Sequence, residues 1–111
     1  MKIEEKTQDG VHIFSIKGKI MGGEPSTLLR GKITETLESG MKDIILDLSG
    51  VDWMNSIGLG LLVSILNSVK GAGGRLRLAN IDKILKILTI TKLVTIFEVS
   101  DTTEEALAAL K

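Results

Sequence analysis

Few side chains in this 111-residue sequence have the chemistry that catalysis needs, and their spacing does not form a catalytic set. Ser56 and His12 are a nominal nucleophile and base, but the segment Asn-Ser-Ile-Gly lacks the glycine that precedes the serine by two positions in a nucleophile elbow. We interpret His12 as an ordinary strand residue near a hairpin turn. Asp47 and Asp52 would suit acid and base roles only if they converged. One lies in a predicted strand and the other in the following turn, so we predict that the protein is not an enzyme.

The composition argues against several other kinds of site. The sequence has no cysteine and one histidine, which excludes disulfides, thiolate nucleophiles and multi-histidine metal centres, so we predict no metal and no cofactor. The glycine-rich run 71–74 follows a predicted helix, whereas a phosphate-binding loop opens one, so we interpret it as a helix stop. Basic and acidic residues balance at 14 each, which gives no electrostatic reason to expect direct binding of nucleic acid.

The sequence also lacks the features of an exported or membrane-inserted chain. Its first six residues are charged and contain no apolar run of the kind found in secretory signals. The longest apolar stretch, residues 57–66, is interrupted by glycine and serine and is shorter than the roughly 20 residues that a membrane span requires. We therefore predict a cytoplasmic protein with no membrane insertion.

Hydrophobic periodicity predicts alternating strands and helices, and hence an α/β fold in one domain. An Asp-Gly turn at residues 9–10 predicts an N-terminal hairpin, followed by a loop at 18–23 and a helix from Pro25 that stops at Gly40. A further turn is predicted at residues 51–55, before a helix that runs from about Ser56 to residue 70. The remaining predicted elements are strands at 4–7, 11–16, 43–48, 75–78 and 95–99, a helix around 82–88, and a final helix after a capping box at 101–104.

Residues 47–60 form the most informative segment, because a buried strand there leads through a short turn into a helix that begins at Asn55 or Ser56. Gly58 and Gly60 are expected to let another backbone approach the helix. A serine at a helix start has two interpretations. It is either an N-cap, whose oxygen accepts an amide hydrogen bond, or a phosphorylation site, where the phosphate meets free N–H groups and the positive end of the helix dipole. Local physics alone favours the cap.

The same segment resembles the signature of the STAS family, a domain shared by sulfate-transporter tails and anti-sigma factor antagonists. The family pattern has an aspartate-rich strand end, a hydrophobic residue before Met-Asp-Ser, then a small residue and Gly-Leu-Gly; here residues 47–60 read DLSGVDWMNSIGLG. Further counterparts lie at residues 18–20, 73–74, 84–85, 93 and 96–97. The resemblance implies a single STAS domain over residues 1–111, with a mixed four- to five-stranded β-sheet, an N-terminal hairpin and about four packed α-helices.

The resemblance also implies an anti-sigma factor antagonist that works by partner switching, with Ser56 as the phosphoacceptor. In its unphosphorylated form such a protein binds an anti-sigma factor and frees a sigma factor. A serine protein kinase, often the same anti-sigma factor, phosphorylates the serine and ends the complex, and a serine phosphatase resets the cycle. The protein is expected to be a monomer or weak dimer. The partner-binding residues we predict beside Ser56 are Met21, Gly22, Gly23, Met54, Asn55, Ile57, Gly58 and Leu59.

Three positions depart from the family pattern. Asn55 replaces an aspartate, Ile57 replaces a small hydroxyl residue, and Met21 stands where the loop often has an acidic residue. These departures leave three interpretations open: altered kinase recognition, a less basic partner, or loss of phosphorylation. The alternative functions are a small-molecule or nucleotide-binding subunit of a larger assembly, such as a transporter, and a scaffold that is not phosphorylated.

Overall fold

Alternating apolar residues build a five-stranded sheet in the order β1-β2-β3-β4-β5, seen in a computed structural model that describes residues 1–110. The strands are β1 (Lys2–Gln8), β2 (Val11–Ile20), β3 (Asp43–Met54), β4 (Arg75–Ala79) and β5 (Glu98–Ser100). β1 and β2 form the predicted antiparallel hairpin, and every other neighbouring pair is parallel. The prediction of a mixed sheet with an N-terminal hairpin is therefore confirmed.

Four α-helices cover the two faces of the sheet, as predicted. They are α1 (Glu24–Glu38), α2 (Ser56–Gly71), α3 (Leu85–Ile90) and α4 (Thr103–Leu110), and a 3-10 turn at Asp82–Ile84 precedes α3. The main core joins α1, α2 and α3 to one face through residues such as Leu46 and Leu62, while α4 packs against Ile45 on the other face. Among residues 1–110, no helix is long and apolar enough to cross a membrane.

Strands β2 and β3 continue beyond the ends that the sequence predicted. The predicted loop at 18–20 and the predicted turn at 51–54 are both strand, and they pair with each other up to Ile20 and Met54. The glycines that suggested strand ends lie instead at irregularities of the pairing, where the register shifts between Ser15 and Lys19. At Gly50 a Cβ atom would lie 2.6 Å from the Lys17 side chain, so the glycine permits close pairing rather than ending the strand.

Two C-terminal predictions are shifted along the chain. Residues Leu93–Thr95 form a 3-10 turn after Lys92, which has a left-handed backbone, so the predicted strand at 95–99 begins only at Glu98. Phe97 is buried in the core without being part of a strand. The start of α4 is capped one residue later than predicted, because Thr102 Oγ1 accepts the Glu105 N–H at 3.1 Å.

Candidate functional site at the start of the second helix

The C-terminal ends of β2 and β3 bring two loops to one edge of the sheet. Ile20 pairs with Met54, so the two parallel strands end side by side. β2 then leads through residues 21–23 into α1, and β3 leads through Asn55 into α2. The start of α2 therefore lies directly beside the loop before α1, as the predicted partner surface requires.

Asn55 connects these two loops and caps α2. Its Oδ1 accepts the Gly58 N–H at 2.9 Å, and its Nδ2 donates to the Met21 carbonyl at 3.2 Å. Its own N–H donates to the Ile20 carbonyl at 3.3 Å. Asn55 is thus the N-cap residue, and the interpretation of Ser56 as the cap is wrong.

Ser56 is the first residue inside α2, and its side chain is exposed. Within residues 1–110 its hydroxyl makes no hydrogen bond, so the folded chain does not depend on that group. The cap satisfies the N–H of Gly58, while the N–H groups of Ser56 and Ile57 have no helical acceptor. A hydroxyl at this position is accessible to an enzyme and lies at the positive end of the helix dipole.

Two glycines hold the loop and the helix close together. A Cβ atom on the buried Gly58 would lie 2.1 Å from the Ile20 carbonyl oxygen. Gly22 has φ +96°, and a Cβ atom there would lie 2.8 Å from Cγ2 of Ile57. Gly60 behaves differently, because a Cβ atom there would meet nothing within 4 Å. The predicted close approach is therefore correct for Gly58 and wrong for Gly60.

The residues around Ser56 that are exposed or partly exposed form what we call the Ser56 surface: Met21, Gly22, Gly23, Asn55, Ser56 and Ile57. Met21 and Ile57 are 46% and 62% exposed. Met54 and Gly58 are buried, so they do not belong to this surface, and their contact with a partner stays a prediction. Leu59 is half-buried and packs against the core.

Trp53 is a residue of this region that the sequence analysis did not select. It is 44% exposed, whereas simple alternation from the buried Val51 would place it on the core side. The pairing is irregular here, because Gly50 pairs with Lys17 and Trp53 pairs with Lys19, so three steps along β3 lie opposite two along β2. This irregularity depends on pairing with a distant strand, so a local strand pattern would not have placed Trp53 on the surface.

Replacing Asn55 with alanine is expected to destabilise the protein by about 1–2 kcal/mol, because the cap of α2 is lost. The change also removes the hydrogen bond from Asn55 Nδ2 to the Met21 carbonyl. Asn55→Asp keeps an acceptor for the Gly58 N–H and should recover most of the loss. Urea unfolding of the two variants measures both effects, and equal stability of Asn55→Ala and the unmodified protein would show that the cap contributes nothing.

The residues considered for catalysis lie apart. His12, which contacts Glu5 at 3.0 Å, pairs with Ile44 near the start of β3, whereas Ser56 follows the end of that strand. Asp52 is exposed, and Asp47 accepts hydrogen bonds from Ser15, Ser49 and Asn80. Burial raises the pKa of Asp47, but these hydrogen bonds outweigh burial and hold the pKa below its ordinary value. No cluster of three potential metal ligands occurs in residues 1–110.

Comparisons with known proteins agree with this geometry. The Thermotoga neapolitana homologue of the protein TM1081 is 39% identical over 74 residues, which is 66% of each chain. The anti-sigma-B factor antagonist of Staphylococcus aureus is 30% identical over 109 residues, covering 94% of this chain and 96% of that protein. The crystal structure of TM1081 from Thermotoga maritima has a TM-score of 0.86 and 29% identity, and the match covers 97% of this chain and 93% of that one.

The model of the STAS domain family matches residues 2–106, which is nearly the whole chain. The matched residues include all five strands, the first three helices and the segment around Ser56. The chain therefore belongs to the STAS domain family, and anti-sigma factor antagonists are among its relatives.

Proposed function

We propose that the protein is an anti-sigma factor antagonist that works by partner switching, with Ser56 as the switch. The observation that carries the proposal is the exposed Ser56 hydroxyl on the first residue of α2, beside the exposed apolar side chains of Met21 and Ile57. Exposed apolar groups favour contact with another protein. The unphosphorylated Ser56 surface binds an anti-sigma factor, which releases its sigma factor.

Phosphorylation of Ser56 would end this contact without unfolding the domain. A phosphate carries a charge of about −1.5 to −2 at neutral pH. At the first residue of α2 that charge meets free N–H groups and the positive end of the helix dipole, so the fold tolerates it. A partner that packs on Met21 and Ile57 must bury the same charge or separate from it. A serine kinase and a serine phosphatase then set the fraction of protein that binds.

The experiment requires a serine kinase of the anti-sigma type, which is first sought among the genes of the organism that encodes this protein. The protein is incubated with this kinase and ATP, its mass is measured, and binding to the kinase is followed by size-exclusion chromatography. We expect addition of one phosphate and loss of the complex. Ser56→Ala should bind and gain no phosphate, whereas Ser68→Ala, which changes an exposed serine of the same helix, should behave as the unmodified protein.

Two results would contradict the proposal. The first is a phosphate that Ser56→Ala still acquires, because the modified residue would then lie elsewhere. The second is saturable binding of ATP in the absence of any kinase, together with no binding of the anti-sigma factor. That combination supports the alternative of a nucleotide-binding subunit.

A further inference from the structure

A groove of about 280 Å³ lies between the first turns of α1 and α2, directly beside the Ser56 surface. Ile57 and Gly60 line it from α2, and Ser26, Thr27 and Arg30 line it from α1. The groove therefore shares Ile57 with the surface on which the partner is proposed to dock.

Ser26 is the unusual residue of this groove. Only 7% of it is exposed, and its hydroxyl is the one buried side-chain oxygen or nitrogen in residues 1–110 that has no hydrogen-bond partner. Buried hydroxyl groups in proteins are normally hydrogen-bonded, because leaving one unpaired is costly. A serine hydroxyl moves by rotation about a single bond, so Ser26 is able to turn towards a group that enters the groove. The unpaired hydroxyl indicates that a group bound in the groove supplies the hydrogen-bond partner that Ser26 lacks.

The start of α1 provides further unpaired donors. Gly23 occupies the N-cap position and has no side chain to cap the helix, and Pro25 has no N–H. The amides of Glu24 and Ser26 are consequently left without a helical acceptor. Thr27 N–H already donates to the Gly23 carbonyl at 3.2 Å. The positive end of the α1 dipole therefore lies beside Ser26 without a capping oxygen.

Arg30 adds a full positive charge one turn after Ser26. Its guanidinium is exposed, and within residues 1–110 it makes no ion pair or side-chain hydrogen bond. Glu24, the acidic residue in the first turn of α1, lines a different groove together with Pro25 and Leu28. No acidic side chain lines the groove that contains Arg30 and Ser26.

We propose that this groove binds a carboxylate side chain of the partner that docks on the Ser56 surface; this inference depends on the proposed function. A carboxylate has two acceptor oxygens in one plane, which match the paired donors of a guanidinium. The Ser26 hydroxyl and the free amides at the start of α1 supply the remaining donors. The groove lining offers a cation, amides and hydroxyls and no carboxylate, so it selects a negatively charged group.

A carboxylate bound in this groove explains why phosphorylation of Ser56 would end partner binding. A partner that places a carboxylate beside Ile57 brings negative charge close to Ser56. Phosphate on Ser56 then repels that carboxylate, in addition to being difficult to bury. The Ser56 surface contributes no charge of its own, because Asn55 and Met21 are both uncharged. Arg30 is therefore the charged side chain that the groove presents to the partner.

The test uses ¹⁵N-labelled protein and sodium acetate as the probe, so it requires no partner. Chemical shifts of the Glu24 and Ser26 amides and of the Arg30 Nε–H are followed during titration, with sodium chloride at equal ionic strength as the reference. We expect saturable shifts with acetate only. Arg30→Gln should abolish saturation, and Ser26→Ala should weaken it. Lys32→Gln, which removes a cation of α1 that pairs with Glu5, should leave it unchanged.

Three outcomes would overturn the inference. Shifts that follow sodium chloride, or that persist in Arg30→Gln, would show that the groove has no specific affinity for a carboxylate. Saturation by sodium sulfate but not by acetate would assign the groove to a free tetrahedral anion instead of a partner side chain. Each of these results leaves the kinase experiment at Ser56 unaffected, so failure of the groove and failure of partner switching are distinguishable.

Discussion

Ser56→Asp is expected to weaken binding of the anti-sigma factor by about 30-fold or more. Burying a charge without a partner in an interface costs about 2–5 kcal/mol, and each 1.4 kcal/mol is a factor of about ten in affinity. The two chain neighbours of Ser56 lie against the loop before α1, Asn55 at Met21 and Ile57 at Gly22, so a partner docked on the Ser56 surface covers the position. Isothermal titration calorimetry against the purified anti-sigma factor measures the loss.

The same substitution should leave the melting temperature almost unchanged or slightly raised. The Ser56 hydroxyl makes no hydrogen bond within residues 1–110, so its replacement removes no native contact. A negative charge in the first turn of α2 interacts favourably with the helix dipole, typically by about 0.3–1 kcal/mol. Differential scanning calorimetry of Ser56→Asp therefore separates an effect on the interface from an effect on the fold.

Two control variants define what the result means. Ser56→Asn has nearly the size of the aspartate variant without its charge, and we expect it to keep most of the affinity. Ser68→Asp adds the same charge to an exposed serine near the other end of α2 and should bind normally. Undiminished binding by Ser56→Asp would exclude the proposed switch, and equal losses in the two aspartate variants would point to net charge instead of the Ser56 surface.

Local sequence patterns were sufficient to predict the hairpin, the starts of α1 and α2 and the segment that contains Ser56. Each depends on signals that lie within a few residues of one another, such as Asp9 and Gly10 in the hairpin turn. The extension of β2 and β3 was not predictable in this way. It depends on pairing between Ile20 and Met54, which are far apart in the sequence, and on irregularities that let the strands continue past glycine.

The site was predicted in position but not in detail, for the same physical reason. Asn55 and Ser56 are both good N-cap residues, and their order in the sequence does not decide between them. The hydrogen bond from Asn55 to the Met21 carbonyl, 34 residues away, is part of what fixes Asn55 as the cap. The groove at Arg30 likewise exists only because α1 packs beside α2, so no local pattern could have indicated it.

Gly58→Ala is expected to lower the free energy of unfolding by about 2 kcal/mol or more. The new Cβ atom would lie 2.1 Å from the Ile20 carbonyl oxygen, and a backbone group cannot move aside as a flexible side chain can. A contact this short with a backbone atom belongs at the upper end of overpacking costs, about 3 kcal/mol or more, against which the better helix propensity of alanine returns about 1 kcal/mol. Gly60→Ala is the matched control, because its Cβ atom meets nothing within 4 Å, and it should stabilise the protein by about 0.5–1 kcal/mol.

Gly58→Ala should also affect partner binding, because the Ile20 carbonyl that it displaces accepts the Asn55 N–H. Moving that carbonyl disturbs the residue that caps α2 and holds the Met21 loop. We therefore expect the folded fraction of Gly58→Ala to bind the anti-sigma factor more weakly than the unmodified protein. Urea unfolding of both glycine variants tests the effect on stability, and calorimetric titration of Gly58→Ala tests the effect on binding. If Gly58→Ala proved as stable as Gly60→Ala, the close contact between α2 and β2 would not be what positions Ser56.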